Sequence, residues 1–160
     1  MKLFFYSVDK KVNTDRFILK ALEEYLAEVP IKLNDKAIYR TQNGKPYFAD
    51  NALFVGVSHS HDVLVIAFDA ENFGIDCEKI FERDFLDISR RFFNKDEQAL
   101  IKEAKNPFNT FLGIWTKKEA YIKCFGKTLS ALSSIDTTNI NGFKTFEQNG
   151  CVISVFKPQN

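Results

Sequence analysis

The sequence has few of the residues on which several classes of site depend. Its three cysteines, Cys77, Cys124 and Cys151, form no CxxC pair, so neither a zinc ribbon nor a thioredoxin-type redox site is expected. An odd number of widely spaced cysteines indicates free thiols in a reducing compartment. The two histidines, His59 and His61, form an H-x-H pair, but no third nitrogen or thiolate ligand is suggested nearby, which disfavours zinc.

The sequence also lacks charge of one sign and long apolar segments. Its formal net charge is +1, so no global field attracts it to nucleic acid or to a membrane surface. The longest near-apolar run, Val63 to Phe68, is far too short to span a bilayer. The N-terminal residues lack the apolar stretch and cleavage site of a signal peptide. We therefore expect a cytoplasmic protein with no nucleic-acid and no membrane partner.

Phenylalanine is the residue that the sequence has in excess. There are 17 copies beside five tyrosines and one tryptophan, which indicates a generous aromatic core. Hydrophobic residues make up 45% and charged residues 27% of the chain, an ordinary balance for a globular protein. The length and the lack of a Gly/Ser linker predict a single domain over residues 1–160.

The periodicity of apolar residues predicts an α+β fold. Up to residue 80, strands are expected at 2–8, 37–39, 53–57, 63–68 and 75–80, with one helix at 15–29. Beyond residue 80, helices are expected around 85–92, from the capping box at 94–97 to about 104, and from 107 to 125. Two or three further strands are expected at 134–138, 143–147 and 151–156. Asn94 and Glu97 have the spacing of a capping box, and Asn106-Pro107 and Gly126 are typical of a helix start and end. This order of elements indicates two loosely similar halves, approximately residues 1–72 and 73–160.

Two acidic residues alternate in a predicted strand. Asp76 and Glu78 lie two residues apart, so both side chains point to one face, while Ile75 and Cys77 point to the other, toward the core. Neighbouring carboxylates repel one another and need a cation if both are to stay ionised and partly buried. Oxygen ligands favour Mg²⁺, but an isolated D-x-E is more often an exposed strand face.

A second group of charged residues lies in the predicted helix WTKKEAYIK. Trp115, Glu119 and Lys123 recur every four residues and so form one row along the helix, and Lys118 lies on the neighbouring row. These residues suit a metal- and phosphate-binding surface. The same spacing is also that of an ordinary helix-stabilising Glu–Lys pair, with the tryptophan packed in the core.

Five motifs in the same order resemble the 4′-phosphopantetheinyl transferase superfamily, in its longer, surfactin-synthetase-activating type, with an unusually short N-terminal half. They are GKPYF (44–48), VSHS (57–60), FGIDCEKI (73–80), RFFNKDE (91–97) and WTKKEAYIKCFGKTLS (115–130). The resemblance implies two similar α+β halves packed as a pseudo-dimer, with coenzyme A in the cleft between them. It implies an Mg²⁺-dependent enzyme that transfers the 4′-phosphopantetheine arm of coenzyme A to a serine of an apo acyl or peptidyl carrier protein. A monomer is the expected state.

The resemblance also implies a role for individual residues. The metal ligands are Asp76, Glu78 and Glu119, and Glu119 is the candidate base for the serine proton, with Asp76 as the alternative. The residues expected to hold coenzyme A are Lys118 and Lys123 on its phosphates, Ser58 and His59 on the phosphate region of the nucleotide, and Lys45 near the adenosine 3′-phosphate. The family's early basic segment corresponds to Lys10, Lys11, Arg16 and Lys20, among which Arg16 is the candidate for the 3′-phosphate.

The partner surface and the activity each have an alternative. Arg83, Arg90, Arg91 and Lys95, interleaved with Phe85, Phe92 and Phe93, form either a basic rim around a carrier-docking patch or solvated charges above core aromatics. A non-catalytic module that binds coenzyme A or a carrier would use the same cleft. An Mg²⁺-dependent phosphoester hydrolase would use the same acids without a carrier.

Overall fold

The computed structural model describes residues 1–9, 12–49, 52–81 and 84–159, so that Lys10, Lys11 and Arg83 lie outside the described residues. The elements in chain order are β1 (Lys2–Ser7), α1 (Thr14–Glu28), β2 (Tyr39–Arg40), β3 (Pro46–Tyr47), β4 (Phe54–Ser60), β5 (Val63–Asp69), β6 (Gly74–Lys79), α2 (Leu86–Phe92), α3 (Lys95–Glu103), α4 (Pro107–Phe125), a 3₁₀ helix (Leu129–Ser134), β7 (Phe143–Gln148) and β8 (Cys151–Phe156). The predicted α+β class is confirmed.

Two three-stranded antiparallel sheets form the framework, and β2 and β3 form a separate small hairpin. The first sheet has the order β1-β5-β4 and the second has the order β6-β8-β7. In both, the first strand in sequence pairs with the third, and the third pairs with the second. The sheets therefore share one strand order although their sequences differ.

Strand β5 explains why the longest apolar run of the chain is buried on both faces. Leu64, Ile66 and Phe68 pack in a core cluster with α1, whereas Val65 and Ala67 pack in a cluster with β6 and β8. Alternate side chains of a strand point to opposite faces, so one strand contributes to both clusters. The first sheet is thus held between α1 and the second sheet.

Helix α4 packs directly on β6 and β8, and the contact with β6 depends on a glycine. A Cβ atom on Gly74 would lie 1.9 Å from the backbone oxygen of Ala120 and 2.5 Å from the backbone nitrogen of Cys124. The strand and the helix therefore approach too closely for any other residue. This contact determines where along α4 the acids of β6 are placed.

Local signals predicted the helix ends correctly. The Asn94 side chain accepts from the Glu97 N–H at 2.8 Å while the Glu97 carboxylate accepts from the Asn94 N–H at 3.0 Å, so the capping box is present. Asn106 caps α4, and Gly126 ends it with φ of 62°. All three cysteines are free and buried.

Three strand predictions are wrong: β4 is longer than predicted, the strand expected at 37–39 lies at Tyr39–Arg40, and the strand expected at 134–138 is not formed. Strand β4 continues through Ser60, so that only His61 and Asp62 form the turn before β5, where a longer loop was expected. Residues 134–138 form no strand, because the carbonyl of Ile135 and the N–H of Thr137 bond to side chains of α4 and α3. Within the described ranges, no helix has both the length and the apolar character needed to cross a membrane.

Candidate active site

Two serines of β4 face two acids of β6 across the line where the sheets meet. Ser58 Oγ donates to Asp76 Oδ1 at 2.8 Å and accepts from the backbone N–H that follows Asp76 at 3.0 Å. Ser60 Oγ makes the same pair of contacts, at 3.0 Å each, with Glu78 Oε2 and the N–H that follows Glu78. The sequence prediction that both acids share a face is confirmed. We call this arrangement of two serines and two acids the serine–acid ladder.

Helix α4 adds a cation to the ladder. Lys123 Nζ lies 2.6 Å from Asp76 Oδ1 and 3.0 Å from Ser58 Oγ. Asp76 is only 5% exposed, and its second oxygen, Oδ2, has no hydrogen-bond partner in the described part of the chain. A buried carboxylate oxygen without a donor is costly, so this atom is a natural position for a ligand.

The electrostatics of these groups show an unbalanced negative charge. The pKa of Glu119 is raised to about 7, chiefly by burial and also by the charges of Asp76 and Glu78, while Lys123 opposes the rise. Burial also raises the pKa of Asp76, which Lys123 and Ser58 offset only in part. Although burial alone lowers the pKa of Lys123, the Asp76 carboxylate outweighs it and the pKa is raised. Added positive charge would relieve this repulsion.

These oxygen ligands are compatible with a cation, although the described residues form no preformed metal site. In the described residues, no group of three or more His, Cys, Asp or Glu side chains is placed so that it could hold a metal ion. The prediction that Asp76, Glu78 and Glu119 bind Mg²⁺ remains a prediction. The unpartnered Asp76 Oδ2 and the hard oxygen ligands fit that ion, which commonly takes one or two protein carboxylates and completes its shell with phosphate and water.

A cavity of about 510 Å³ opens beside the ladder. Its wall includes the 43–46 turn, the middle of β4, the start of β6, the C-terminal part of α4 with the residues that follow it, and Thr14 and Arg40. Its basic lining residues are Arg40, Lys45, Lys123 and Lys127, and Glu119 lines it as well. A cavity of this size and charge suits an anionic ligand with apolar parts.

Arg40 is a lining residue that the sequence reasoning missed. Its guanidinium donates to the Gly44 oxygen at 2.9 Å and to Thr14 Oγ1 at 3.0 Å, and it forms an ion pair with Asp15. These contacts fix the guanidinium between the start of α1 and the turn. The Asn43-Gly44 turn in the sequence could have revealed this residue. A hairpin around that turn pairs Arg40 with Pro46 and so places Arg40 close to Lys45.

Lys45 lines the cavity, but its ammonium is already bonded within the protein, and its place near an adenosine 3′-phosphate remains a prediction. It donates to Asn72 Oδ1 at 3.0 Å, to the Phe73 oxygen at 3.4 Å and to the Cys124 oxygen at 3.0 Å. Burial lowers the pKa of Lys45. The side chain connects the turn to the end of α4, and its charge contributes to the field inside the cavity.

The expected phosphate-binding role of Lys118 is contradicted by its position. Lys118 and Glu97 are both 0% exposed and lie 2.8 Å apart as an ion pair. The Lys118 ammonium also donates to the backbone oxygens of Leu132 and Ile135. Lys118 therefore points away from the cavity, because it lies about 100° around the helix from Glu119, and it holds α3, α4 and the 3₁₀ helix together.

The other predicted binding residues lie off the cavity lining. Ser58 is 3% exposed and sits beneath the lining, bonded to Asp76 and Lys123. His59 and Arg16 are exposed, and neither is among the described residues that line the cavity. At the start of α1, the residue that reaches the lining is Thr14, two positions before Arg16.

The basic segment around α2 has aromatic side chains directed inward. The Phe85 ring lies 5.1 Å from that of Phe111, and the Phe92 ring lies 6.0 Å from that of Trp115, so these rings belong to the core. Arg90 and Arg91 are exposed. Their role in binding a carrier remains a prediction.

The fold and the site thus define an α+β protein with a basic cavity beside buried, paired acids. Residues 72–156 match the model of the 4′-phosphopantetheinyl transferase superfamily, and the chain belongs to that family.

Three relatives illustrate the similarity. The chain is 34% identical over 109 residues to the 4′-phosphopantetheinyl transferase gsp of Aneurinibacillus migulanus, covering 66% of this chain and 45% of the relative. It is 35% identical over 141 residues to psf-1 of Bacillus pumilus, covering 79% and 60%. It is 40% identical over 91 residues to Sfp of Bacillus subtilis (strain 168), covering 54% and 40%. The chain spans about half the length of the curated relatives that it matches.

Proposed function

We propose that this chain transfers the 4′-phosphopantetheine arm of coenzyme A to a serine of an apo acyl or peptidyl carrier protein. The observation that carries the proposal is the cavity, in which four basic residues surround a space beside Glu119 and the serine–acid ladder. A pyrophosphate requires cations around its oxygens, and a hydroxyl nucleophile requires a carboxylate within reach.

The acids Asp76, Glu78 and Glu119 would hold Mg²⁺, with Asp76 Oδ2 as the ligand atom that the protein leaves unbonded. The ion would supply stabilisation of the negative charge that grows on the pyrophosphate oxygens during transfer. Lys123 and Lys127 would neutralise the remaining phosphate oxygens, and Lys45 would add to the positive field.

Glu119 is the better candidate for the base. It lines the cavity, whereas Asp76 is covered and its Oδ1 already accepts from Lys123 and Ser58. In the transfer step the carrier serine oxygen forms a bond to the β-phosphorus, and the bond from that phosphorus to the adenosine 3′,5′-bisphosphate oxygen breaks. The serine proton passes to Glu119, directly or through water.

The shared strand order of the two sheets supports the proposal that the halves 1–72 and 73–160 form a pseudo-dimer. The cavity receives Gly56 and Val57 from the first sheet and Gly74 and Ile75 from the second, as expected for a ligand site between such halves. A monomer would then suffice for activity. A cytoplasmic location, which coenzyme A and carrier proteins would share, is part of the same proposal.

Intact-mass spectrometry of an apo carrier protein, incubated with this protein, coenzyme A and MgCl₂, tests the function. Transfer adds one phosphopantetheine, about 340 Da, and Glu119→Ala should abolish the gain by removing both ligand and base. Glu103→Ala, an exposed glutamate in the last turn of α3, is the matched control and should stay active.

The same reactions separate the alternatives. Coenzyme A binding by calorimetry without any mass gain on several carriers would favour the binding module. Release of adenosine 3′,5′-bisphosphate without a carrier would favour the hydrolase. Neither binding nor transfer would refute the proposed function.

A further inference from the structure

The hydrogen-bonding capacity of Ser58 is fully used inside the protein. A serine hydroxyl has one hydrogen to donate and two lone pairs that accept. The hydrogen goes to Asp76 Oδ1, and the lone pairs receive the backbone N–H of Cys77 at 3.0 Å and the Lys123 ammonium at 3.0 Å. Ser58 therefore has no spare hydrogen or lone pair for a ligand phosphate.

The three contacts of Ser58 instead determine how Asp76 is oriented. Ser58 and Lys123 both bind Oδ1, so the carboxylate is held by one oxygen, while the other, Oδ2, has no protein donor among the described residues. A carboxylate held in this way cannot rotate to exchange its oxygens without losing both bonds. The remaining oxygen, Oδ2, is a buried acceptor without a donor among the described residues, and a bound cation would satisfy it.

Ser60 repeats the arrangement two residues along the same strand. It donates to Glu78 Oε2 at 3.0 Å and accepts from the backbone N–H of Lys79 at 3.0 Å. Because side chains two apart on a strand share a face, the spacing of the serines on β4 matches the spacing of the acids on β6. Each acid therefore has its own serine, although Glu78 is the less buried of the two acids.

We propose that Ser58 and Ser60 are positioning residues for the metal-binding acids, and that Ser58 in particular presents Asp76 Oδ2 to the ion instead of contacting the nucleotide. This inference rests on the proposed function. Partners that orient metal ligands commonly change metal affinity or activity about 10–100-fold when removed.

The test compares Ser58→Ala, Ser58→Thr and Ser60→Ala with a control, Ser89→Ala. Ser89 is a buried serine of α2 whose hydroxyl bonds only to the Leu86 oxygen among the described residues, so loss of that hydroxyl leaves the ladder intact. Mn²⁺ binding without coenzyme A is measured by electron paramagnetic resonance. The dependence of transfer on Mg²⁺ and the KM for coenzyme A are measured separately.

We expect Ser58→Ala to weaken Mn²⁺ binding by about tenfold or more, and to raise the Mg²⁺ requirement in parallel, while the KM for coenzyme A changes by less than about threefold. Ser58→Thr keeps the hydroxyl and should restore part of the affinity. Ser60→Ala should have a smaller effect of the same kind. Ser89→Ala should have none.

A rise of about tenfold in the KM for coenzyme A with unchanged Mn²⁺ binding would overturn the inference, since Ser58 would then contact the nucleotide directly. Unchanged values of both quantities would overturn it as well. If Ser58→Ala does not fold, Mn²⁺ binding by Ser60→Ala is the deciding measurement. Unaltered Mn²⁺ binding in that variant refutes the inference. A wild-type chain that neither binds coenzyme A nor transfers the arm refutes the proposed function. A wild-type chain that transfers the arm without binding Mn²⁺ refutes only the inference.

Discussion

Replacing Lys118 by methionine separates a structural role of this lysine from a role in binding phosphate. Methionine has a similar length and a similar helix propensity, so α4 itself should be little affected. The substitution removes the partner of the Glu97 carboxylate at 2.8 Å and the donor to the backbone oxygens of Leu132 and Ile135. Glu97 would keep its bonds from Asn94 and Thr137 but would carry an uncompensated charge at 0% exposure.

The expected loss is large because both charges are fully buried. Removing one partner of a buried ion pair typically costs about 3–5 kcal/mol of unfolding free energy. For a chain of this size each kcal/mol lowers Tm by about 2–4 °C, so the loss corresponds to roughly 6–20 °C. Lys117→Met, the same change at the preceding, partly exposed position, should stay within about 1 kcal/mol.

Thermal and urea unfolding followed by circular dichroism measure the loss, and the double variant Glu97→Gln with Lys118→Met tests its cause. Glutamine removes the stranded charge but keeps only one acceptor oxygen, for either Asn94 or Thr137, so the double variant should recover about 1–3 kcal/mol relative to the sum of the single effects and not the whole loss. If the effects of the two single variants on unfolding free energy simply add, the Lys118–Glu97 ion pair is not the source of the lost stability. A Lys118→Met variant of unchanged Tm but about tenfold higher KM for coenzyme A would restore the phosphate-binding role and refute the reasoning.

Three further predictions concern the packing, the acid stability and the cavity. Gly74→Ala should cost about 3 kcal/mol or more in urea unfolding, because the added Cβ lies 1.9 Å from the backbone of α4; a fully stable variant would contradict this close approach. Lys157→Met should lower Tm at neutral pH but not in acid. Burial raises the pKa of Asp69, but Lys157 at 2.8 Å, together with the N-terminal amine, outweighs it, so the pKa lies below its usual range. A lowered carboxyl pKa adds stability above about pH 4 that is lost as the pH falls through the folded value, so the Tm difference should shrink in that range; a constant difference down to pH 3 would refute it. Arg40→Gln should raise the KM for coenzyme A about tenfold through loss of a charged donor, whereas Arg16→Gln, off the cavity, should leave it unchanged; the reverse order would restore the candidate from the sequence.

The sequence predicted those features that depend on neighbouring residues. The capping box at Asn94 and Glu97 and the helix end at Gly126 are determined within a few positions of the chain, and both are present. The alternation of Asp76 and Glu78 likewise predicted a shared face, because the period of a strand does not depend on what packs against it.

Features that depend on distant residues were not predictable in the same way. Residues 134–138 contain β-branched side chains typical of a strand, yet their backbone bonds to Lys118 and Glu97, which come from other elements. The helical row of Glu119 and Lys123 was recognisable, but nothing local indicated that the neighbouring Lys118 would find a buried acid. The bond between Ser58 and Asp76 joins residues 18 apart across two sheets, so it could be seen only in the structure.

The serine–acid ladder makes the site a property of the junction between the two sheets and not of either one. The acids and Lys123 belong to the second half, whereas the hydroxyls that orient them belong to the first. A fragment of residues 73–160 would contain every expected metal ligand and still lack their orientation. Activity should therefore appear only after the sheets have docked during folding, and metal affinity would serve as a sensitive report on whether that docking is complete.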